Sequence, residues 1–187
     1  MRTFIAIELP QEIRESLAQL QDRLKQSHAD VKWVDPQNIH LTLKFLGEID
    51  AEQLDKIIRV LEQVCLGKKT FQMRLSSIGA FPKMHFPRVL WVSVDKGESE
   101  TKEIAAELEE KVSIFGVPKE KRSFSSHITI GRVRSNLFKD KLVNDLKMIG
   151  SLEGKEFAVT ELTLFKSTLT PKGAAYEALK TASLKAT

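Results

Sequence analysis

The chain has 187 residues, of which 42% are hydrophobic and 29% charged, with a formal net charge of +4. That length and apolar content suit one domain, or two intimately packed lobes, around a sizeable core, and they argue against disorder. A single cysteine, Cys65, excludes an intrachain disulfide and a cysteine-based zinc site. The mild basicity, with a pI near 9.1, suits an anionic partner without identifying one.

The opening Met1-Arg2-Thr3-Phe4-Ile5-Ala6-Ile7-Glu8-Leu9-Pro10 contains a short apolar strand but no long apolar stretch of the signal-peptide kind. No later run approaches the roughly 18 apolar residues needed to span a bilayer, so a cytoplasmic monomer without a membrane partner is the expectation. Pro10 starts a predicted helix to about residue 26, with Ile13, Leu17, Leu20 and Leu24 on one face. Strands follow at 31–34 and 39–45, the second stopped by Gly47, and a helix at 51–64 has Cys65 on its apolar side, where a buried structural thiol is expected. Extended pieces are predicted at 70–75, 77–81 and 89–94. Pro82-Lys83-Met84-His85-Phe86-Pro87-Arg88 reads as too proline-rich for a regular element. A helix at 99–115, a strand at 126–133, a helix at 139–149 and strands at 155–167 and 174–184 complete the chain. The last two are read as a hairpin turning at Thr170-Pro171-Lys172-Gly173.

Strands and helices interleave without a repeating βαβ rhythm, which favours an α+β fold with mostly antiparallel sheet in one domain, residues 1–187. No glycine-rich phosphate loop follows any strand, so nucleotide-triphosphate and dinucleotide readings lose their weight. One internal echo remains. His40-Leu41-Thr42-Leu43 and His127-Ile128-Thr129-Ile130 share the pattern His-apolar-Thr-apolar, each on a predicted strand.

Residues i and i+2 of a strand share a face, about 7 Å apart. Each repeat therefore offers an imidazole and a hydroxyl on one side while its apolar pair anchors the other. Two such strands facing each other would surround a tetrahedral anion with two imidazoles and two hydroxyl donors. One histidine can take a proton from a nucleophile while the other gives one to a leaving oxygen, each role worth roughly a hundred- to ten-thousandfold. No HxH, HxxxH or HExxH spacing occurs, so the pattern requires no metal. A lone strand histidine is usually structural, and His28 and His85 lack this context. Trp33 and Trp91 default to core packing. Lys121, Arg122, Arg134 and Arg88 are candidates for a basic rim, against the plainer reading of a solvated face.

At these residues the sequence resembles the two-histidine phosphoesterase superfamily, and within it the RNA 2′,3′-cyclic phosphodiesterases, also called 2′-5′ RNA ligases. The likeness runs through Arg2-Thr3-Phe4-Ile5-Ala6-Ile7, Trp33-Val34, His40 to Gly47, Gly79-Ala80-Phe81-Pro82, Pro87-Arg88-Val89-Leu90-Trp91, and His127 to Arg132. The resemblance implies a bilobal α+β fold, with two mainly antiparallel sheets facing across a central cleft and helices on the outer faces. One HxT strand would come from each lobe. It implies hydrolysis of an RNA-terminal 2′,3′-cyclic phosphate to a 2′-phosphate without a cofactor, the substrates being RNA 3′ ends or nucleoside 2′,3′-cyclic phosphates. On that analogy His40 is the acid for the leaving O3′, His127 the base for water, and Thr42 and Thr129 hold the phosphate. A non-catalytic RNA- or nucleotide-binding module, or reversible 2′-5′ ligation at the same site, stand as alternatives. Phe45 and Arg132 each follow their histidine by five residues. On a regular strand such an offset points to the opposite face, so Phe45 defaults to core packing. Where the strand ends or bulges it could return to the cleft mouth and stack a base, as the resemblance implies. Arg132 suits a phosphate site, against the plainer reading of a surface salt bridge.

Overall fold

A computed structural model describes residues 1–171 and 173–186. In chain order the elements are β1 (Arg2–Glu8), α1 (Gln11–Lys25), β2 (Val31–Trp33), a short helical turn (Pro36–Asn38), β3 (His40–Glu48), α2 (Ala51–Gly67), β4 (Phe71–Lys83) and β5 (Phe86–Val94). Then come α3 (Glu98–Ser113), β6 (His127–Val133), α4 (Lys139–Ile149), β7 (Glu156–Val159), β8 (Glu161–Thr170) and β9 (Gly173–Ser183). No described helix is long and apolar enough to cross a membrane.

The strands form two antiparallel sheets, a four-stranded one in the order β3-β1-β8-β9 and a five-stranded one in the order β2-β6-β5-β4-β7. Helices α2 and α3 pack on the first sheet, and α1 and α4 pack together, α4 against β4 of the second. Each helix presents a buried apolar stripe, such as Ile57, Val60, Leu61, Val64 and Cys65 of α2. The Cys65 thiol is buried and pushed up to about 11 by desolvation, with the Leu162 backbone opposing the shift, so it is inert as expected.

Each sheet mixes strands from both ends of the chain: β1 sits between β3 and β8 in the first, and β2 and β7 form the two edges of the second. Three expectations change accordingly. The two pieces at 70–75 and 77–81 are one strand, β4, with a register shift between Leu75 and Ile78. The proline-rich stretch is the end of a hairpin in which Pro82 pairs with Pro87. Neither proline has an N–H to give, and a non-hydrogen-bonded antiparallel pair asks for none. The strand expected at 155–167 breaks at Thr160, where the chain passes from the second sheet (β7) to the first (β8). The β8–β9 hairpin forms as predicted, with Thr170 paired to Gly173; Lys172 of its turn lies outside the described residues.

Candidate active site

Both HxT strands carry the same irregularity. Along β3, Thr42 pairs with Ala6 and Lys44 with Ile5, so Leu43 is an extra residue. Along β6, Thr129 pairs with Trp91 and Gly131 with Leu90, so Ile130 is extra. The bulge thus falls three residues after each histidine and shifts the pleat by one residue. Burial follows: His40 to Phe45 and His127 to Arg132 both run part-buried, buried, part-buried, buried, buried, exposed. Phe45 and Arg132 therefore return to the histidine face, which a regular strand would forbid. Phe45 is 53% exposed, with its ring centroid 6.1 Å from that of Phe4.

The second bulge is held from behind. Gln21 of α1, itself buried, donates through Nε2 to the Ile130 carbonyl at 2.9 Å and to the Val34 carbonyl at 2.7 Å. Gln21→Leu leaves both carbonyls short of that donor and is expected to cost about 1–3 kcal/mol. Urea unfolding reads this, and an unchanged midpoint would mean the bulge holds itself.

The two imidazoles are set alike. Nδ1–H of His40 donates to the Asn38 carbonyl, and Nδ1–H of His127 to the Ser125 carbonyl, each at 2.7 Å. Each bond reaches back two residues and fixes the tautomer, leaving Nε2 to exchange protons. In His40 that atom is 2.9 Å from the Thr42 hydroxyl. The approaches are pinned too: Asn38 Nδ2 donates to the Ala174 carbonyl, and the buried Ser126 hydroxyl bonds Thr101 of α3 at 2.6 Å. Burial lowers the pKa of His40 below 6.5, the Asn38 carbonyl opposes this, and the positive charge of Arg14 adds to it.

Around each histidine the sheet face is aromatic. His40 stacks on Phe4 at 4.8 Å and meets Tyr176 edge-on at 5.3 Å, with Phe165 stacked behind Phe4. His127 meets Phe81 edge-on at 5.4 Å, and Phe81 leans on Trp91 at 5.1 Å. Trp91 lies so close over Gly79 that a Cβ there would come within 2.3 Å of its ring. Trp33 packs on the core as expected, whereas Trp91 belongs to the histidine face.

The two faces meet. β3 and β6 approach within 8 Å between Cα atoms. Arg132 of β6 and Arg2 of β1 both act electrostatically on the Tyr176 phenol, whose pKa is raised chiefly by burial. The β3–β6 contact and the reach of Arg132 to Tyr176 thus bring the face carrying His40, Thr42 and Phe45 beside the face carrying His127, Thr129 and Arg132. The first face also carries Arg2, Phe4, Phe165 and Tyr176 and the second Phe81 and Trp91, to which sequence reasoning gave no role in the site. Arg2, Phe4, Phe81 and Trp91 lie in stretches that carry the family likeness, whereas Phe165 and Tyr176 had no sequence signal beyond being aromatics on strands. His28 and His85 are exposed, just past a helix end and in a hairpin turn. Lys121 and Arg122 are exposed between α3 and β6, and Arg134 is exposed just beyond β6. Among the described residues no group of three or more His, Cys, Asp or Glu could hold a metal ion.

Comparison with known proteins gives the same pattern. The family model for LigT-like phosphoesterases matches twice in tandem, over residues 7–91 and 92–176, with one HxT motif in each match. The RNA 2′,3′-cyclic phosphodiesterase of Methanocaldococcus jannaschii is 37% identical over 96% of this chain and 99% of its own length. That of Archaeoglobus fulgidus is 34% identical over 96% of this chain and 98% of its own. Among solved structures, TT0787 of Thermus thermophilus superposes with a TM-score of 0.84 at 28% identity, covering 98% of both chains. E. coli LigT in its apo form gives 0.81 at 27%, covering 98% of this chain and 96% of that one. With two tandem family matches and relatives this similar over nearly their full length, the chain is an enzyme of the LigT-like phosphoesterase family.

Proposed function

We propose that this enzyme hydrolyses RNA-terminal 2′,3′-cyclic phosphates to 2′-phosphates, using His40 and His127 and no metal ion. The observation that carries the reading is the pair of like-set imidazoles, each with Nδ1 committed to backbone and Nε2 left for proton exchange. It is joined by relatives named for that activity.

Nε2 of His127 takes a proton from water as the water oxygen attacks phosphorus. The P–O3′ bond breaks, and Nε2–H of His40 gives its proton to O3′, leaving a 2′-phosphate and a 3′-hydroxyl. The resulting imidazolium at His127 and neutral ring at His40 return to their starting states by exchange with solvent. Thr42, Thr129 and Arg132 orient the non-bridging oxygens and hold the equatorial charge that builds in the transition state. Phe45, at the cleft mouth, offers a ring face to the terminal base.

The test is hydrolysis of a nucleoside 2′,3′-cyclic phosphate with the product identified by phosphorus NMR. A 2′-phosphate formed at an undiminished rate in excess EDTA is expected. A 3′-phosphate would overturn the assignment of the leaving oxygen, and loss of rate restored by one added metal would overturn metal independence.

A further inference from the structure

The histidine face of the second sheet does not end at Phe81. Phe81 pairs with Val89 and Pro82 with Pro87, so Arg88 is an extra residue in β5. The bulge turns Arg88 to the side of Val89, and burial along the strand agrees. Phe86 is exposed, Pro87 buried, Arg88 exposed, Val89 part-buried, Leu90 buried and Trp91 part-buried. Phe86 and Arg88 therefore share the face of Phe81, Trp91 and His127.

Two cations lie near the Phe86 ring. Lys139 Nζ stands 4.4 Å from its centroid and the Arg88 guanidinium carbon 5.7 Å. Among the described residues neither makes an ion pair, whereas Lys44, Lys56, Arg74 and Lys119 each have a carboxylate partner. Phe86 is 42% exposed and Phe81 40%. Exposed rings interleaved with unpaired cations suit a single nucleic-acid strand, whose bases stack on the rings while its phosphates meet the charges.

We propose that Phe86, Arg88 and Lys139 form a ledge that holds the nucleotide 5′ of the reacting end of a single-stranded RNA, continuing from His127 through Phe81. The inference rests on the cyclic phosphodiesterase reading above and names its substrate: an oligonucleotide end rather than a free mononucleotide. Phe81 touches His127 and belongs to the reacting site, while the ledge lies one nucleotide further out. A base-paired end hides its base faces inside the stack, so the ledge selects unpaired ends.

The experiment compares kcat/KM for a tetranucleotide 2′,3′-cyclic phosphate with that for the mononucleotide. Wild-type enzyme is expected to favour the tetranucleotide by about tenfold or more, the range of one base–aromatic stack. Phe86→Ala and the double variant Arg88→Ala/Lys139→Ala are expected to erase that preference while leaving mononucleotide hydrolysis unchanged, and Phe86→Trp to keep it. The double variant is also expected to flatten the salt dependence seen with the tetranucleotide. A preference that survives these changes would overturn the ledge, and so would an equal loss on both substrates, which marks a structural effect. Should wild-type enzyme hydrolyse neither substrate, the cyclic phosphodiesterase reading fails. The ledge is then judged by fluorescence anisotropy with a labelled 3′-phosphorylated tetranucleotide: weaker binding in Phe86→Ala supports it, and equal binding overturns it.

Discussion

His40→Ala and His127→Ala are each expected to lower hydrolysis of a 2′,3′-cyclic phosphate by about 10²- to 10⁴-fold, and the residual activity of His127→Ala to fall as pH rises. With His127 absent, turnover still needs protonated His40. Burial holds the pKa of His40 below 6.5 in the free enzyme. A bound phosphodiester anion opposes that shift, so the limb belonging to His40 lies higher in kcat than in kcat/KM. The same sign governs stability. A fold that favours the neutral ring keeps its full contribution above about pH 6.5, the unperturbed value, and loses it as pH falls through the lowered pKa.

Bis(p-nitrophenyl) phosphate separates the two roles. Its leaving phenolate departs without a proton, so His40→Ala is expected to lose far less on it than on a cyclic phosphate, whereas His127→Ala loses on both. The opposite pattern exchanges acid and base. Near-wild-type turnover of the cyclic substrate by either variant removes that histidine from the mechanism.

The second large effect is on stability. Lys44, directly after the bulge of β3, is turned inward, and its ammonium lies 2.9 Å from both Glu109 of α3 and the Pro118 carbonyl. Its side chain is 1% exposed and that of Glu109 22%. Lys44→Met keeps the length but strands a partly buried carboxylate and a carbonyl. Breaking a buried pair costs about 3–5 kcal/mol, and because Glu109 can still reach water the lower end applies. For a chain of this size that is about 6–12 °C in Tm. A loss below about 2 °C would show that water replaces the ammonium. We further propose that wild type and variant each melt in a single transition as one domain, because every sheet is built from both ends of the chain; two resolved transitions would refute that.

The duplicated motif was legible because strand alternation is a local property. His40 and Thr42 share a face whatever lies beside them, and so do His127 and Thr129. Phe45 and Arg132 were only half legible. Their offset of five points away on a regular strand, and whether Leu43 and Ile130 stand out of register depends on the strands opposite, not on their own sequence. The proline-rich hairpin and the break at Thr160 were misread for a related reason. Pro82 is tolerable in a strand only where its own position asks for no N–H, which the register with the partner strand decides, and Thr160 marks a change of sheet invisible without the partners.

By itself the sequence determined the α+β class, the two strands that carry an imidazole and a hydroxyl on one side, and the apolar stripes that cover the sheets. It also pointed to the family, through motifs that run nearly the whole chain. Tertiary structure decided which strands share a sheet, since β1 reaches β8 only after roughly 150 residues have folded between them. It decided, too, that the two bulges turn Phe45 and Arg132 to the histidine faces and that aromatics from five separate strands surround the histidines. Register and burial come from partners distant in the chain, and no local pattern records them.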